Sequence, residues 1–523
     1  MTGKQMIRKV LAAAMALTMM LTMLTVPAMA KSKAKLSKTK VTITVGKSVT
    51  LRVKGTSKKA KWSVSGKKLV KIKTKGKKKH KATIKAGKKA GKCFIKVKIG
   101  KKTLKCKVIV KKKTPKPDEF KEKPLSDTSK DITEKFTSRT VTGKETDDEF
   151  RMAMTGTALE MLKILSSKEE NYNKNVLISP DSILTAMAMV ECGAKGNTLS
   201  EMVSAFGDLP AEDFDAYLYT LNKRLTTSKN INYHLADSIW YKNSELDVRD
   251  EFLQKNVDFF GAQVFEAPFS DDTLNDINNW VYNKTKAMIP GILNDLDQDT
   301  VMILLNAIAF EGEWADKYSD NQVQRNVPFY TEQNNLMKYT FALKGTEDTY
   351  LEIKGAKGFI KDYAGGEIAF LGLQMPDDTT VDQFLNRLTP VDFINGYNNR
   401  TDDYSVITQM PEFKYDFSSS MVDTLKEMGI KDAFDPDLAD FTDIAVLKPD
   451  ENLFISDVLH KTHIEVDRDG TKAAAVTAVV MDKASAMPMQ KEKKYVTLDH
   501  PFVYAIIDTQ SGIPLFIGTV KTL

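Results

Sequence analysis

The stretch DVLHKTHIEVDRDGTKAAAVTAVV, residues 457–480, changes character halfway along, and its reading decides the fold. Up to Asp467 it reads as a β-strand. From Gly470 it becomes a run of small residues: the alanines suggest helix, Thr477, Val479 and Val480 suggest strand, and Asp482 to Ser485 look like exposed loop. Taken as a strand, it places Thr471, Ala473, Ala475 and Thr477 on one face, with Lys472, Ala474, Val476 and Ala478 on the other. The first face is uniformly small and uncharged, so it can slide between existing strands without burying a charge. The second carries a single Lys that can stay in water. Gly470 supplies a hinge with few backbone restrictions. An ordinary surface loop has no need of a one-sided small face. The segment therefore reads as either loop or strand, with one face kept small throughout.

Around this stretch the texture from Phe150 onward is mixed. FRMAMTGTALEMLKIL sets Met154, Ala158, Met161, Leu162 and Leu165 at helical spacing, TAMAMVECGAKGNTLSEMV reads as two helices around a turn, and LNDINNWVYNKTKAMI as a helix stopped by Pro290. VMILLNAIAFEGEW suits a strand buried on both faces. EIAFLGLQMP, ITQMPEFKYDF, NLFISDVLHKTHIEVD and the two runs FVYAIID and PLFIGTV are further strands. Helices mostly precede strands, which favours α+β over a regular βαβ alternation.

The N-terminal part differs. The chain has 523 residues, enough for two or three domains. Residues 1–30 have a basic start, an apolar run and the small-x-small site Ala28-Met29-Ala30, the pattern of a secretory signal peptide. No Cys follows that site to take a lipid anchor, and no later stretch is long and apolar enough to span a bilayer. A secreted protein without membrane insertion, and monomeric, is expected. Residues 31–113 contain 32 Lys, one Arg and no Asp or Glu, a net charge of +33, whereas residues 114–523 carry −27. The overall +9 describes neither part.

Short alternating runs in 31–113, from VTITV to LKCKVIV, are separated by Gly-Lys turns, the signature of a small β-sandwich with Trp62 in its core. The pattern resembles the bacterial Ig-like domains of exported proteins. Its lysines fill nearly every outward position, which points to an anionic cell-surface polymer or glycan as partner. Aromatic residues do not interleave as stacking platforms, which argues against specific nucleic-acid reading. Cys93 and Cys106 flank the turn at Gly100 and are either a disulfide or two buried free thiols. Cys192 reads as a core residue. Residues 114–149 are polar and Pro-punctuated, and read as an extended, mobile linker to a domain at 150–523.

Catalytic signatures do not emerge. There is no Gly-x-Ser-x-Gly elbow and no His-Glu-x-x-His, and Gly46-Lys47-Ser48 has Val41 where a phosphate loop needs Gly. His460 and His463 stand three apart, on opposite faces of a strand, and so do not share a metal. Neither an enzyme nor a cofactor is expected.

Five separated motifs carry a resemblance. NVLISPDSI (175–183), GAKGNTLSEM (193–202), LLNAIAFEGEW (304–314), residues 457–480 and HPFVYAIIDTQSGIPLFIGTV (500–520) together resemble the serpins, in the family's order. The resemblance implies three β-sheets, about nine helices and an exposed reactive-centre loop. It also implies suicide inhibition of a serine protease through a covalent complex, with insertion of about 16 residues carrying the protease some 50 Å. It places Ser179, Ser182, Asn306 and His460 in a buried polar cluster, the shutter, and Trp314 at the breach where insertion begins. Counting 17 residues from Arg468 gives Ala484–Ser485 as the scissile bond, a small residue suiting elastase- or subtilisin-like enzymes. Counting back from Pro501 gives Met489 or Gln490 instead, and Lys483 would serve a trypsin-like enzyme. Lys472 stands where the family usually has an acid. The alternative is a non-inhibitory member acting as a carrier or structural binding protein. A further reading makes the polycation the main functional part.

Overall fold

The computed structural model describes residues 34–44, 48–65, 69–87, 89, 91–111, 120–228, 231–297, 300–471 and 491–523. The signal-peptide reading of 1–30 lies outside them. The chain divides into two compact units between Glu119 and Phe120.

The first unit contains strands β1 (Lys35–Leu36), β2 (Lys40–Thr44), β3 (Ser48–Lys54), β4 (Ala60–Val64), β5 (Val70–Lys75), β6 (Lys81–Ala86), β7 (Gly91–Ile99) and β8 (Lys102–Lys111). They form two four-stranded sheets, ordered β1-β3-β6-β5 and β2-β8-β7-β4, around one apolar cluster. The strand period does the sorting: β7 buries Cys93, Ile95, Val97 and Ile99 and exposes Lys92, Phe94, Lys96 and Lys98. Trp62 is half-buried against the cluster, its Nε1 donating to Lys79 O at 2.7 Å. The disulfide alternative is corrected. Cys93 lies opposite Val108 and Cys106 opposite Ile95, so the two are diagonal neighbours, and both are buried free thiols. Diagonal Cα separations of about 7–8 Å exceed what a disulfide spans. Phe94 also departs from expectation, standing 44% exposed among the lysines.

The second unit is built on three large sheets. The widest runs β21 (Phe413–Ser420), β23 (Leu459–Val466), β24 (Gly470–Thr471), β14 (Met302–Glu313), β11 (Asn232–Tyr241), β13 (Gln263–Glu266) and β9 (Lys130–Asp131). A six-stranded sheet holds β10 (Val176–Ile178), β27 (Pro514–Val520), β26 (Phe502–Asp508), β19 (Ile368–Gln374), β18 (Ala356–Asp362) and β17 (Thr349–Ile353). The third is β15 (Val323–Tyr330), β16 (Leu336–Glu347), β20 (Tyr404–Pro411) and β25 (Glu492–Thr497), and β12 (Asp247–Val248) pairs with β22 (Ala445–Val446). As the apolar run foretold, β14 is interior to its sheet and buries Ala307, Ile308, Ala309 and Phe310 in succession.

Among the described residues there are nine α-helices: α1 (Asp148–Ser167), α2 (Pro180–Glu191), α3 (Gly196–Ala205), α4 (Ala211–Thr227), α5 (Asp250–Phe260), α6 (Asp271–Lys284), α7 (Val381–Arg387), α8 (Pro390–Asn398) and α9 (Val422–Glu427). Helix α1 starts where Asp147 accepts from Phe150 N at 2.9 Å, and α2 starts with Ser179 as cap and Pro180 in its first turn. Helix α6 ends at Lys284, short of Pro290, because Lys286 and Ala287 take positive φ after the Thr285 cap.

The linker reading of 114–149 is corrected over 120–149, which belongs to the second unit. Side chains of the helices satisfy its backbone: Lys123 N donates to Asn283 Oδ1 at 2.8 Å, Ser126 N to Asp276 Oδ1 at 2.7 Å and Arg139 N to Asp258 Oδ1 at 2.6 Å. Strand β9 extends the widest sheet through β13, and Ile132 is buried. Lacking periodicity, most of the segment gains its order from these partners, with only the short β9, one turn at Thr133–Lys135 and the start of α1 as regular structure.

Candidate functional site

The decisive stretch leaves the sheet at the end of β23. Asp467 O-to-N contacts tighten the turn: its Oδ1 accepts from Asp469 N at 2.7 Å and Gly470 N at 3.2 Å. The chain then doubles back as β24. Thr471 pairs with Gly312 of β14 on one side and with Val466 of β23 on the other. Thr471 is thus already inside the sheet rather than waiting outside it. Gly470 is required sterically, because a Cβ there would lie 2.0 Å from Gly312 O. This reason is stronger than the conformational freedom read from sequence. Ala473, Ala475 and Thr477, the proposed bond Ala484–Ser485 and its alternatives Lys483, Met489 and Gln490 all lie outside the described residues.

Trp314 ties this corner together. Its Nε1 donates to Asp467 O at 2.8 Å, its backbone N donates to Asp469 O at 3.1 Å, and its ring stacks on Tyr363 at 4.5 Å. The Tyr363 hydroxyl meets Thr471 Oγ1. Behind them Lys361 pairs with Glu347 at 2.9 Å and lies 4.5 Å from the Tyr318 ring centre. Burial raises the Glu347 carboxyl and Lys361 pulls it back. Sequence reasoning found Trp314 but not Tyr363, whose run AKGFIKDY carries no signal beyond an ordinary strand.

Lower in the sheet, the four polar residues Ser179, Ser182, Asn306 and His460 come together. His460 Nε2 accepts from Ser179 N at 3.1 Å; Ser179 Oγ donates to Leu515 O at 2.8 Å and accepts from Ser182 N at 3.3 Å. Ser182 Oγ donates to Asn306 Oδ1, and Asn306 Nδ2 donates to Asp237 Oδ1 at 2.8 Å. Burial depresses His460 to about 3, so it is a neutral acceptor. His463, on the opposite face of β23, meets Asp416 at 2.6 Å.

Two acids escaped the sequence reading. Asp237 of β11 is buried and pushed up to about 8, by desolvation first, with Asn306 opposing. Asp181, in the first turn of α2, is raised to about 6 by burial. It accepts from Tyr233 Oη at 2.6 Å, and Asn222 reaches both its oxygens at 3.0 Å in the amide orientation that satisfies both its ends. Their only sequence signal was a charge inside the apolar runs NVLISPDSI and HLADSIWY. A cavity of about 290 Å³ adjoins the network, with Ser182, Met187, Leu304, Asn306 and His460 in its wall.

Among the described residues of this network, the hydroxyls of Ser179 and Ser182 donate to Leu515 O and Asn306 Oδ1 rather than to His460 or an acid. The arrangement consists of a strand start wedged between β14 and β23 and a buried polar network that spans α2, β11, β14 and β23.

Comparison with known proteins agrees with this geometry. The family model described as "Serpin (serine protease inhibitor)" matches residues 152–522. The leukocyte elastase inhibitor of Homo sapiens is 30% identical over 394 residues, covering 71% of this chain and 98% of that protein. A serpin-like protein of Methanosarcina acetivorans is 28% identical, covering 70% and 85%. Among solved structures, the thermophilic serpin tengpin in its native state superposes with a TM-score of 0.69 at 36% identity, covering 76% of this chain and 100% of that one. Its latent state gives 0.63 at 35% identity, covering 73% and 100%. A complex of thyroxine-binding globulin with thyroxine shares the fold at 21% identity, with a TM-score of 0.61 and coverage of 71% and 98%.

Proposed function

The chain belongs to the serpin family, and from that premise we propose that it is a secreted suicide inhibitor of serine proteases. The observation that carries the reading is Thr471, an uncharged side chain already paired between β14 and β23 at the head of a run of small residues. The protease serine Oγ attacks the carbonyl carbon of the residue before the scissile bond. The C–N bond breaks, the new amine leaves with a proton, and an acyl ester remains. Continued insertion from Thr471 drags that ester away from its deacylating water and traps the enzyme. Ala484–Ser485 is the bond favoured by counting. The basic first unit, a module of bacterial Ig-like pattern, holds the inhibitor near an anionic surface.

The test is incubation with elastase-, subtilisin-, trypsin- and chymotrypsin-type proteases on denaturing gels, with mass spectrometry of the released C-terminal peptide. A complex that survives boiling is expected. Clean cleavage without complex by every protease sinks the inhibitor reading in favour of a carrier or structural binding protein. Thr471→Arg, which forces a charge between Gly312 and Val466, should turn inhibitor into substrate, with the stoichiometry of inhibition rising at least tenfold.

A further inference from the structure

The first unit presents two opposed lysine lattices. On the β2-β8-β7-β4 sheet, Lys61 stands directly across from Lys98, Lys96 from Lys105, and Lys107 from Lys40. On the β1-β3-β6-β5 sheet, Lys71 faces Lys85, Lys81 is flanked by Lys75 and Arg52, and Lys35 faces Lys54. All these side chains are exposed. Seven like-charge pairs in a small sandwich, with no carboxylate anywhere in residues 31–113 to separate them, work against folding. Solubility alone is served by interspersed signs and by lysines set beside Ser or Thr.

We propose that this unit is a two-faced clamp that bridges two strands of a linear, base-free phosphate polymer, one strand on each sheet. The inference deepens the anionic-tether reading and rests on it. Phosphate is favoured because 32 of the 33 cations are lysines. An ammonium is a compact point charge that pairs with a tetrahedral phosphate from any direction, whereas oriented, bidentate recognition of carboxylate or phosphate draws on the arginine fork, so the lysines read the polymer's charge spacing rather than its oxygen geometry. A linear repeat is favoured by the lattice, whose neighbouring ammonium stems are about 5 Å apart across strands and about 7 Å apart along them. Bases are disfavoured because Phe94 is the sole aromatic on either outer face; Trp62 packs against the core. A second strand is proposed because both faces carry such lattices, so a polymer lying on one leaves the other open to a second.

The experiment uses the full chain with long-chain polyphosphate as probe, reading binding by co-sedimentation and bridging by light scattering over a salt series. One variant neutralises the paired cations of the first face (Lys40→Gln, Lys61→Gln, Lys96→Gln, Lys98→Gln, Lys105→Gln, Lys107→Gln) and another those of the second (Lys35→Gln, Arg52→Gln, Lys54→Gln, Lys71→Gln, Lys75→Gln, Lys81→Gln, Lys85→Gln); thermal unfolding checks that both fold. The native chain should bind and scatter, with scattering abolished by salt. Each single-face variant should still bind, with the slope of log affinity against log salt reduced to about half, and should no longer scatter. Scattering that persists in either variant, or one face carrying all the binding, overturns the clamp while leaving the tether. Equal or tighter binding of polygalacturonate or single-stranded DNA overturns the phosphate assignment. No binding of the native chain to any of the three polymers overturns the tether itself.

Discussion

Asp181 and Asp237 set the pH response of the polar network, and His460 opposes them. Both acids are raised by burial, Asp237 to about 8 and Asp181 to about 6, so the folded chain holds their protons more tightly than the unfolded chain. Their stabilisation is complete below the ordinary carboxylate range and is lost as pH rises through those values. His460, depressed to about 3, acts the other way: its cost begins below its ordinary value of 6.5 and grows as pH falls. Above pH 6.5 only the acids titrate, which makes that the clean window. Asp237 alone should cost about 2 kcal/mol between pH 6.5 and 8. Glu191, also raised to about 8 by burial and by Asp215, adds its own loss. Urea midpoints should therefore fall across this window, and Asp237→Asn, which keeps an acceptor for Asn306, should remove part of the fall. An unchanged slope in the variant would mean that Asp237 is not the titrating group. The four network residues were legible in sequence through their motifs. The acids were not, because a carboxyl in an apolar run reads as solvated until the fold shows what covers it.

At the level of elements, β24 and the lysine strands make opposite points about register. Gly470 sits where any side chain would collide with Gly312 O, so Gly470→Ala should push β24 out of the sheet at a cost of about 1–3 kcal/mol. Faster hydrogen exchange at the Thr471 amide is the expected signature; unchanged exchange would show that the corner can shift to accommodate a methyl. In β7 and β8, Lys96→Thr should stabilise the first unit by about 0.2–1 kcal/mol, because Lys96 faces Lys105 across the ladder. Calorimetry of the unit's transition measures it, and a fall in stability would show that these lysine stems pack rather than repel. Alternation made the strands readable one at a time. It did not show which residues face each other: the same register that separates Cys93 from Cys106 places lysine against lysine.

On the scale of the whole molecule, the boundary between the units is the main revision. A polar, aperiodic segment read as a linker supplies a sheet-edge strand, the buried Ile132 and the cap of α1. A chain lacking residues 1–119 should retain the denaturant midpoint of the second unit. One lacking 1–147 should be about 2–4 kcal/mol less stable, having lost the Asp147 cap and the Ile132 burial. Equal midpoints for the two truncations would return 120–147 to the status of linker.

By itself the sequence determined the charge division of the chain, the strand periodicity of the first unit, the α+β class of the second and, through five ordered motifs, its family. These properties are local or additive: charge sums along a chain, periodicity is set by backbone geometry, and a motif is read in place. Only the tertiary structure decided that Thr471 is already wedged between β14 and β23, that Asp237 completes the network of Asn306 and Ser182, and that residues 120–149 pack on the second unit. Each of these depends on groups far apart in the chain whose meeting changes desolvation and hydrogen-bond satisfaction, and neither quantity exists until the partners are in contact.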